Sequence, residues 1–451
     1  MNATLALLVL TAASTAAAEE APAPPPPAPE TTAPSPSPES APAPAPEKPP
    51  LGWLSDPKRE ARDIWDALTS GKIHLDNRFR VELADTTNRD SSTAITNRIR
   101  LGYETRPFHG FSGMIEMENV ATPDEDNYYV PQTGDGSPAR TPVADPPGTE
   151  VNQAFARYQT ASLGDSRSSL DIKGGRQRIK IDDDRFIGNV GWRQFEQTFD
   201  AARITTNLGI EPLELQYAYV WGVQRIFGPD GPNPDSSSHI VHASYRVRPE
   251  LRIAAFAYLL DFEDDDPANS SDSYGLRATG DLWKNADDAA DIFADYELTY
   301  AYQQDAGENP VDYQADFFAA QARITRKGLG WAMAGYQFLG SDDGTFAFRF
   351  PLGTNHAFQG WADNFLVTPA FGVQDLYVGI GADMPWGIKS GLIYHAFWAD
   401  EGGDSLGHEF DIVASKAITT NLSLLVKGAF YDGDSGQPDT DRVWFQIEFR
   451  F

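Results

Sequence analysis

From Arg442 to Phe451 the chain alternates: Val443, Phe445, Ile447, Phe449 and Phe451 are apolar, and Arg442, Trp444, Gln446, Glu448 and Arg450 fall between them. Side chains of a strand point alternately to its two faces, so this segment predicts a strand with one apolar and one charged face. The pattern recurs. Ile73, Leu75, Phe79, Val81 and Leu83 alternate with His74, Asp76, Arg78, Arg80 and Glu82, and Asn77 alone interrupts the apolar side. Ile95, Ile99, Leu101 and Tyr103 alternate with Thr96, Arg98, Arg100 and Glu104; Tyr296, Leu298, Tyr300 and Tyr302 alternate with Asp295, Glu297 and Thr299. Burying such charged rows in a dry core costs several kcal/mol per unpaired ion. A water-filled lumen carries no such cost, which predicts a wet interior and an apolar exterior facing lipid.

The connections support this reading. Tight turns at 106–110, 161–166, 247–250, 326–330, 383–386 and 417–421 alternate with long loops at 121–149, 179–195, 226–237, 340–367 and 432–441. Outer-membrane barrels have this asymmetry of short periplasmic turns and long external loops. The expectation is an all-β fold, a transmembrane antiparallel up-and-down barrel over residues 72–451; about 18 strands can be counted along the chain, an even number as such barrels require. Tyr103, Tyr158, Trp221, Trp283, Trp331, Trp386 and Trp398, near strand ends, are candidates for the interfacial aromatic girdles.

Ahead of the barrel, residues 1–18 carry an apolar stretch from Leu5 to Leu10 and end in Ala16-Ala17-Ala18, which reads as a secretory signal peptide. Residues 19–52 form a Pro/Ala-rich linker, with 14 prolines between 21 and 50, and favour an extended periplasmic spacer. Residues 53–71 predict a short periplasmic helix: Ser55 or Asp56 as cap, Pro57 in the first turn, Gly71 at the end. Its apolar face, Ala61, Ile64, Trp65 and Leu68, is expected either to pack on the periplasmic rim or to form an amphipathic surface.

Composition narrows the chemistry. The absence of cysteine excludes thiolate metal sites and disulfides, and a net charge of −29 argues against a nucleic-acid partner. Residues 72–205 nonetheless hold 17 Lys+Arg against 20 Asp+Glu, whereas 206–451 hold 15 against 36. The first strands are therefore the basic part of the barrel. Arg78 and Arg80 on the first predicted strand and Arg98 and Arg100 on the second share the inward parity. Arg157, then Arg176 and Arg178 (with a possible register shift at Gly174-Gly175), and Arg193 follow. Arginines on adjacent strands make a positive field with forked donors for carboxylates, and rings of Arg or Lys let pores favour anions. The alternative is that each arginine pairs with Asp76, Glu82, Glu104, Glu116 or Glu118 and ties the wall together.

The stretch Phe348–Phe365, with Phe350, Phe358 and Trp361, is too apolar for an external loop in water. It is expected to fold inward as a constriction loop carrying Arg349, His356, Trp361 and Asp363, a lid or subunit contact being the alternative. No G-x-S-x-G, H-E-x-x-H or P-loop is present, and no enzyme is expected. No cofactor is expected; Asp182–Asp184 and the acidic stretches 262–267 and 432–441 leave calcium in external loops as the one option.

The stretches 71–83 (GKIHLDNRFRVEL), 97–105 (NRIRLGYET), 150–159 (EVNQAFARYQ), 174–204 (GGRQRIKIDDDRFIGNVGWRQFEQTFDAARI) and 350–377 resemble the alginate-export family of outer-membrane barrels. The resemblance implies an 18-stranded barrel whose arginine-lined constriction selects an anionic polyuronate. The expected function is thus a passive outer-membrane channel for anionic saccharides or similar solutes. Two readings stay beside it: a general porin with a charge-balanced lumen, and a structural barrel tethered to peptidoglycan by the Pro-rich arm. Expected partners are outer-membrane lipid and lipopolysaccharide, the anionic solute, and the barrel-insertion machinery, for which the terminal Phe451 resembles the recognition signal.

Overall fold

The computed structural model describes residues 60–161, 168–263, 265–284 and 292–451. The signal peptide, the Pro-rich linker, the candidate caps Ser55 and Asp56, the first-turn Pro57 and most of the turn at 161–166 lie outside the described residues.

The alternating segments form strands β1 (Lys72–Thr86), β2 (Ser92–Glu104), β3 (Phe111–Ala121), β4 (Gly148–Thr160), β5 (Leu170–Gln177) and β6 (Thr198–Thr206). They continue as β7 (Leu213–Gln224), β8 (Asp235–Arg248), β9 (Leu251–Leu260), β10 (Ser271–Lys284), β11 (Ile292–Asp305) and β12 (Gln314–Arg326). The last six are β13 (Gly330–Leu339), β14 (Val373–Met384), β15 (Ile388–Trp398), β16 (Ser405–Ala417), β17 (Leu422–Gly433) and β18 (Thr440–Arg450). Each pairs antiparallel with the next, and β18 pairs back onto β1 to close an 18-stranded barrel. Phe451 completes the seam: its N–H donates to the Leu75 carbonyl at 2.8 Å. Closure leaves no strand edge, which is what a sheet needs inside a bilayer.

The parity read from the sequence holds on these strands. Leu101, Phe445 and Ile447 are 56%, 47% and 47% exposed on the outer face, while Arg80, Glu82, Arg98 and Trp444 are fully buried inside. Trp221, Trp283 and Trp398 lie on the outer face as girdle residues should. Trp331 does not. It shares the inward parity of Met333 and sits under the Arg323 guanidinium at 5.0 Å, because Ala332 and Ala334 take the outer positions of β13.

The expectation of a uniformly wet interior needs correcting. Inward Phe256, Tyr258 and Leu260 on β9 and Phe317 on β12 pack into one apolar cluster with Ile187, Phe348, Phe350 and Leu352 from loops. Along β9 both parities are apolar, so alternation alone does not separate a lumen position from a lipid position there.

The helix spans only Ile64–Thr69, with the Asp63 side chain accepting from the Asp66 N–H. Ala61 and Ala67 are buried against the 105–110 turn, whereas Ile64, Trp65 and Leu68 are exposed. Of the expected apolar face, Ala61 is buried at the rim turn and the other three residues stay exposed.

Candidate functional site

Loop 178–197 and loop 340–372 lie inside the barrel, where their polar backbone is met by inward side chains of the wall. Loop 178–197 is held chiefly by β1 and β2. Arg78 Nη1 donates to the carbonyls of Gly191 and Trp192 at 3.0 Å and of Arg193 at 3.1 Å. Arg80 Nη2 donates to the Trp192 carbonyl at 2.6 Å, and its guanidinium stacks over the Trp192 ring at 4.1 Å. Arg100 Nη2 reaches the Gln194 carbonyl at 3.2 Å. A fork with several donors can bond a carbonyl and a carboxylate together, as Arg78 does with Glu448 at 3.0 Å.

Most of the remaining donors of this ladder meet carboxylates, although Arg80 also donates to Gln446 and Arg98 Nε and Nη1 have no hydrogen-bond partner. Arg80 pairs with Asp145 at 3.4 Å, Arg98 with Asp76 and Glu448, and Arg100 with Glu118 and Glu196. Arg178, just beyond β5, bridges Glu116 at 2.7 Å and Glu196. Arg193 bridges Glu82 at 3.2 Å, Asp145 at 3.9 Å and Asp363 of the other loop. Arg78, Arg80, Arg98, Arg100 and Arg193 are all buried; Arg78, Arg80, Arg100 and Arg193 fasten the loop, while Arg98 pairs with carboxylates of the wall. Arg157 stands apart, half-exposed and paired with Asp171 on the neighbouring strand. Arg176 lies outside the lumen: its register row runs through Ala154, Ile115 and Tyr103, the outward parity, and it pairs with Asp200 at 2.8 Å. The bulge at Glu116/Met117 changes the parity between the inward Glu150 and Arg157, and Arg176 follows the β4 segment beyond it.

Loop 340–372 carries Arg349, His356, Trp361 and Asp363. Arg349 sits over the Phe346 ring at 3.9 Å, and its backbone N–H and carbonyl both bond the Gln303 side chain at 2.9 Å. His356 stacks on Trp192 with centroids 4.8 Å apart, its Nδ1 2.6 Å from Asp363 and its Nε2 2.7 Å from Lys427 Nζ. The Lys427 ammonium lies over Trp361 at 3.8 Å and Trp192 at 4.1 Å, with Trp444 of the wall at 5.5 Å. Both loops and the wall therefore converge on one lysine. Glu409 holds the loop from another side by accepting the Ala362 N–H at 2.7 Å. Gly360, at φ +78°, is required there because a Cβ would come within 2.2 Å of Glu409 Oε2.

Asp182–Asp184, a candidate calcium loop in the sequence, is part of this inward segment. Asp182 binds His242 at 2.9 Å and Arg252 at 2.8 Å, Asp183 binds Arg277 at 2.7 Å, and Asp184 binds Lys180 at 2.7 Å. Its carboxylates serve as ion-pair partners inside the barrel.

Residues outside the expected set complete the site. Arg442 crosses to Glu82 at 2.8 Å and to the Ala362 carbonyl at 2.9 Å, and its inward parity on the last strand was a legible signal. Arg185, at the heart of loop 178–197, is 2% exposed and lies between the Phe350 and Phe358 rings at 3.9 and 4.2 Å. One of its nitrogens donates to Gln359, and Nε and Nη1 have no hydrogen-bond partner. Burial pushes its pKa down to about 9, with only partial relief from Asp183 and Asp375. The nearby carboxylates are already engaged: Asp183 and Glu297 by Arg277, Asp375 by His395. Nothing in the sequence separated Arg185 from its neighbours.

The loop carboxylates give the site a pH limit. Burial alone would raise Asp363, but His356 and Arg193 hold it well below the usual carboxylate range; Arg100 and Arg178 do the same for Glu196. A depressed folded value contributes stability in full above the unfolded pKa of about 4, and loses it as pH falls through the folded value. Single-channel traces should thus be unchanged from neutral pH to about pH 5 and show loop release only well below pH 4. Release already near neutrality would show that other groups control the latch.

A closed barrel with an outward apolar band, inward loops and buried ion pairs defines an outer-membrane channel protein. The chain belongs to the alginate export family, whose model matches residues 71–341, more than half of its length. None of the curated proteins compared with it matches. Among solved structures it is similar to OccAB4 of Acinetobacter baumannii, with TM-score 0.64 and 12% identity over 84% of this chain and 97% of that one. OccAB2 of the same organism aligns with TM-score 0.64 and 15% identity over 84% and 98%. OccK9 (OpdG) of Pseudomonas aeruginosa aligns with TM-score 0.62 and 13% identity over 85% and 100%. These likenesses show the fold. Family and fold together make this a passive channel of the bacterial outer membrane, a transport protein rather than an enzyme.

Proposed function

We propose that the channel passes small anionic solutes of the acidic-saccharide type, and that Arg185 is the cation they meet. The observation that carries this reading is the Arg185 guanidinium, buried between two phenyl rings with two nitrogens lacking hydrogen-bond partners. A buried charge without a bonded carboxylate gains from an incoming anion far more than a paired one does. Rings flanking the cation also suit the apolar faces of a sugar. In this reading Arg78, Arg80, Arg100, Arg178 and Arg193 act by holding loop 178–197 in place, Arg98 ties wall carboxylates together, and the constriction loop supplies Phe350 and Phe358.

Reversal potentials in planar bilayers under a salt gradient test it. The wild type is expected to favour anions, and Arg185→Gln should shift the potential toward cations while Arg157→Gln shifts it little. Cation preference in the wild type would overturn the reading. A potential near zero, unmoved by Arg185→Gln, would support the charge-balanced general channel instead, which the paired ladder favours.

A further inference from the structure

We propose that the short helix Ile64–Thr69 is an interfacial anchor, laid among the phospholipid headgroups of the periplasmic leaflet of the outer membrane. Its two sides differ sharply. Ala67, with Ala61 just ahead of the helix, is buried against the turn that joins β2 to β3, while Ile64, Trp65 and Leu68 are 66%, 71% and 51% exposed. Its position is set by backbone bonds: the Ala61 N–H donates to the Pro107 carbonyl at 2.8 Å, and the Arg106 N–H donates to the Ala67 carbonyl at 3.0 Å.

What covers the apolar side follows from where the helix is attached. The Tyr103 hydroxyl donates to the Leu68 carbonyl at 2.7 Å and accepts from the Gly71 N–H at 2.8 Å. Tyr103 stands in the outward row of the barrel, in register with Ile73 and Ile115, which are 44% and 54% exposed on the lipid face. The helix is thereby pinned to the lipid-facing side of the wall at a strand end. Its apolar face continues the band that the bilayer covers. Nearby, Phe111 and Tyr158 point outward and pack at a tilt, with centroids 4.8 Å apart, so the helix joins an aromatic girdle. Tryptophan favours this headgroup level, and a helix with one apolar and one polar face lies in the interface plane. Asp63 and Asp66 supply the polar face, Asp66 bonded to Ser70 at 2.8 Å.

The full chain is reconstituted into phosphatidylcholine vesicles, and the Trp65 emission is isolated by subtracting the Trp65→Phe variant. Brominated lipids with the bromines near the headgroup, or near the chain ends, and aqueous acrylamide serve as quenchers. The expected result is a blue-shifted Trp65 signal, quenched at least twofold more by shallow than by deep bromines and little by acrylamide. Quenching by acrylamide alone would place the helix in the periplasm and overturn the proposal. Protection from all three quenchers would mean that protein, such as a second copy of the chain, covers the face, and would overturn it equally.

Discussion

Replacing Arg193 by Met should free the inward loops and enlarge the single-channel conductance while the barrel itself stays folded. Arg193 is buried and holds Glu82 and Asp145 of two different elements together with Asp363 of the second loop. Removing one member of such a set leaves carboxylates buried beside fewer cations, which costs about 3–5 kcal/mol. Glu82 keeps Arg442 at 2.8 Å and Asp363 keeps His356 at 2.6 Å, so the loss falls on the contact between the loops. The wall is held by its own ladder of backbone hydrogen bonds and does not depend on this pair. Planar-bilayer recordings should show larger, noisier steps, with the heat-modifiable gel shift of the closed barrel retained. Arg193→Lys, which keeps the charge and loses the fork, should fall between. Unchanged conductance in Arg193→Met would show that the loops are held without it.

The second large effect concerns the other face. Phe445 is outward on β18, in register with Val81 on β1 and Val426 on β17. An arginine there must bring its charge into hydrocarbon, at a cost of about 2–4 kcal/mol near the bilayer midplane. Phe445→Arg should lower the unfolding free energy of vesicle-folded protein by a matching amount, read as a lower urea midpoint at unchanged slope. An unaltered midpoint would mean that this position lies near the interface, and the assignment of the lipid band would need shifting along the strands.

The wall of the barrel was legible because a strand between lipid and lumen repeats every two residues. Ile73 to Leu83 and Val443 to Phe451 show it without ambiguity, and the turns at 105–110 and 418–421 punctuate it. The inward fold of 340–372 was legible too, since so many phenyl and indole rings cannot stay in water. Legibility failed where the period failed. The bulge beside Asn152 changes parity within β4 and places Arg176 on the outer face, and β9 is apolar on both sides. Trp331 was read from its place at a strand end, although its parity pointed inward.

Taken alone, then, the sequence determined the compartment, the strand parity and the side of the wall on which most arginines stand, because those follow from local alternation. The tertiary structure alone decided what the arginines do. Pairing partners such as Arg78 with Glu448, Arg193 with Asp363 and Lys427 with His356 lie far apart along the chain. Whether a guanidinium is fastened, as at Arg78, or left with open donors, as at Arg185, depends on which loop carbonyls and carboxylates the closed barrel brings within about 3 Å, the reach of a hydrogen bond.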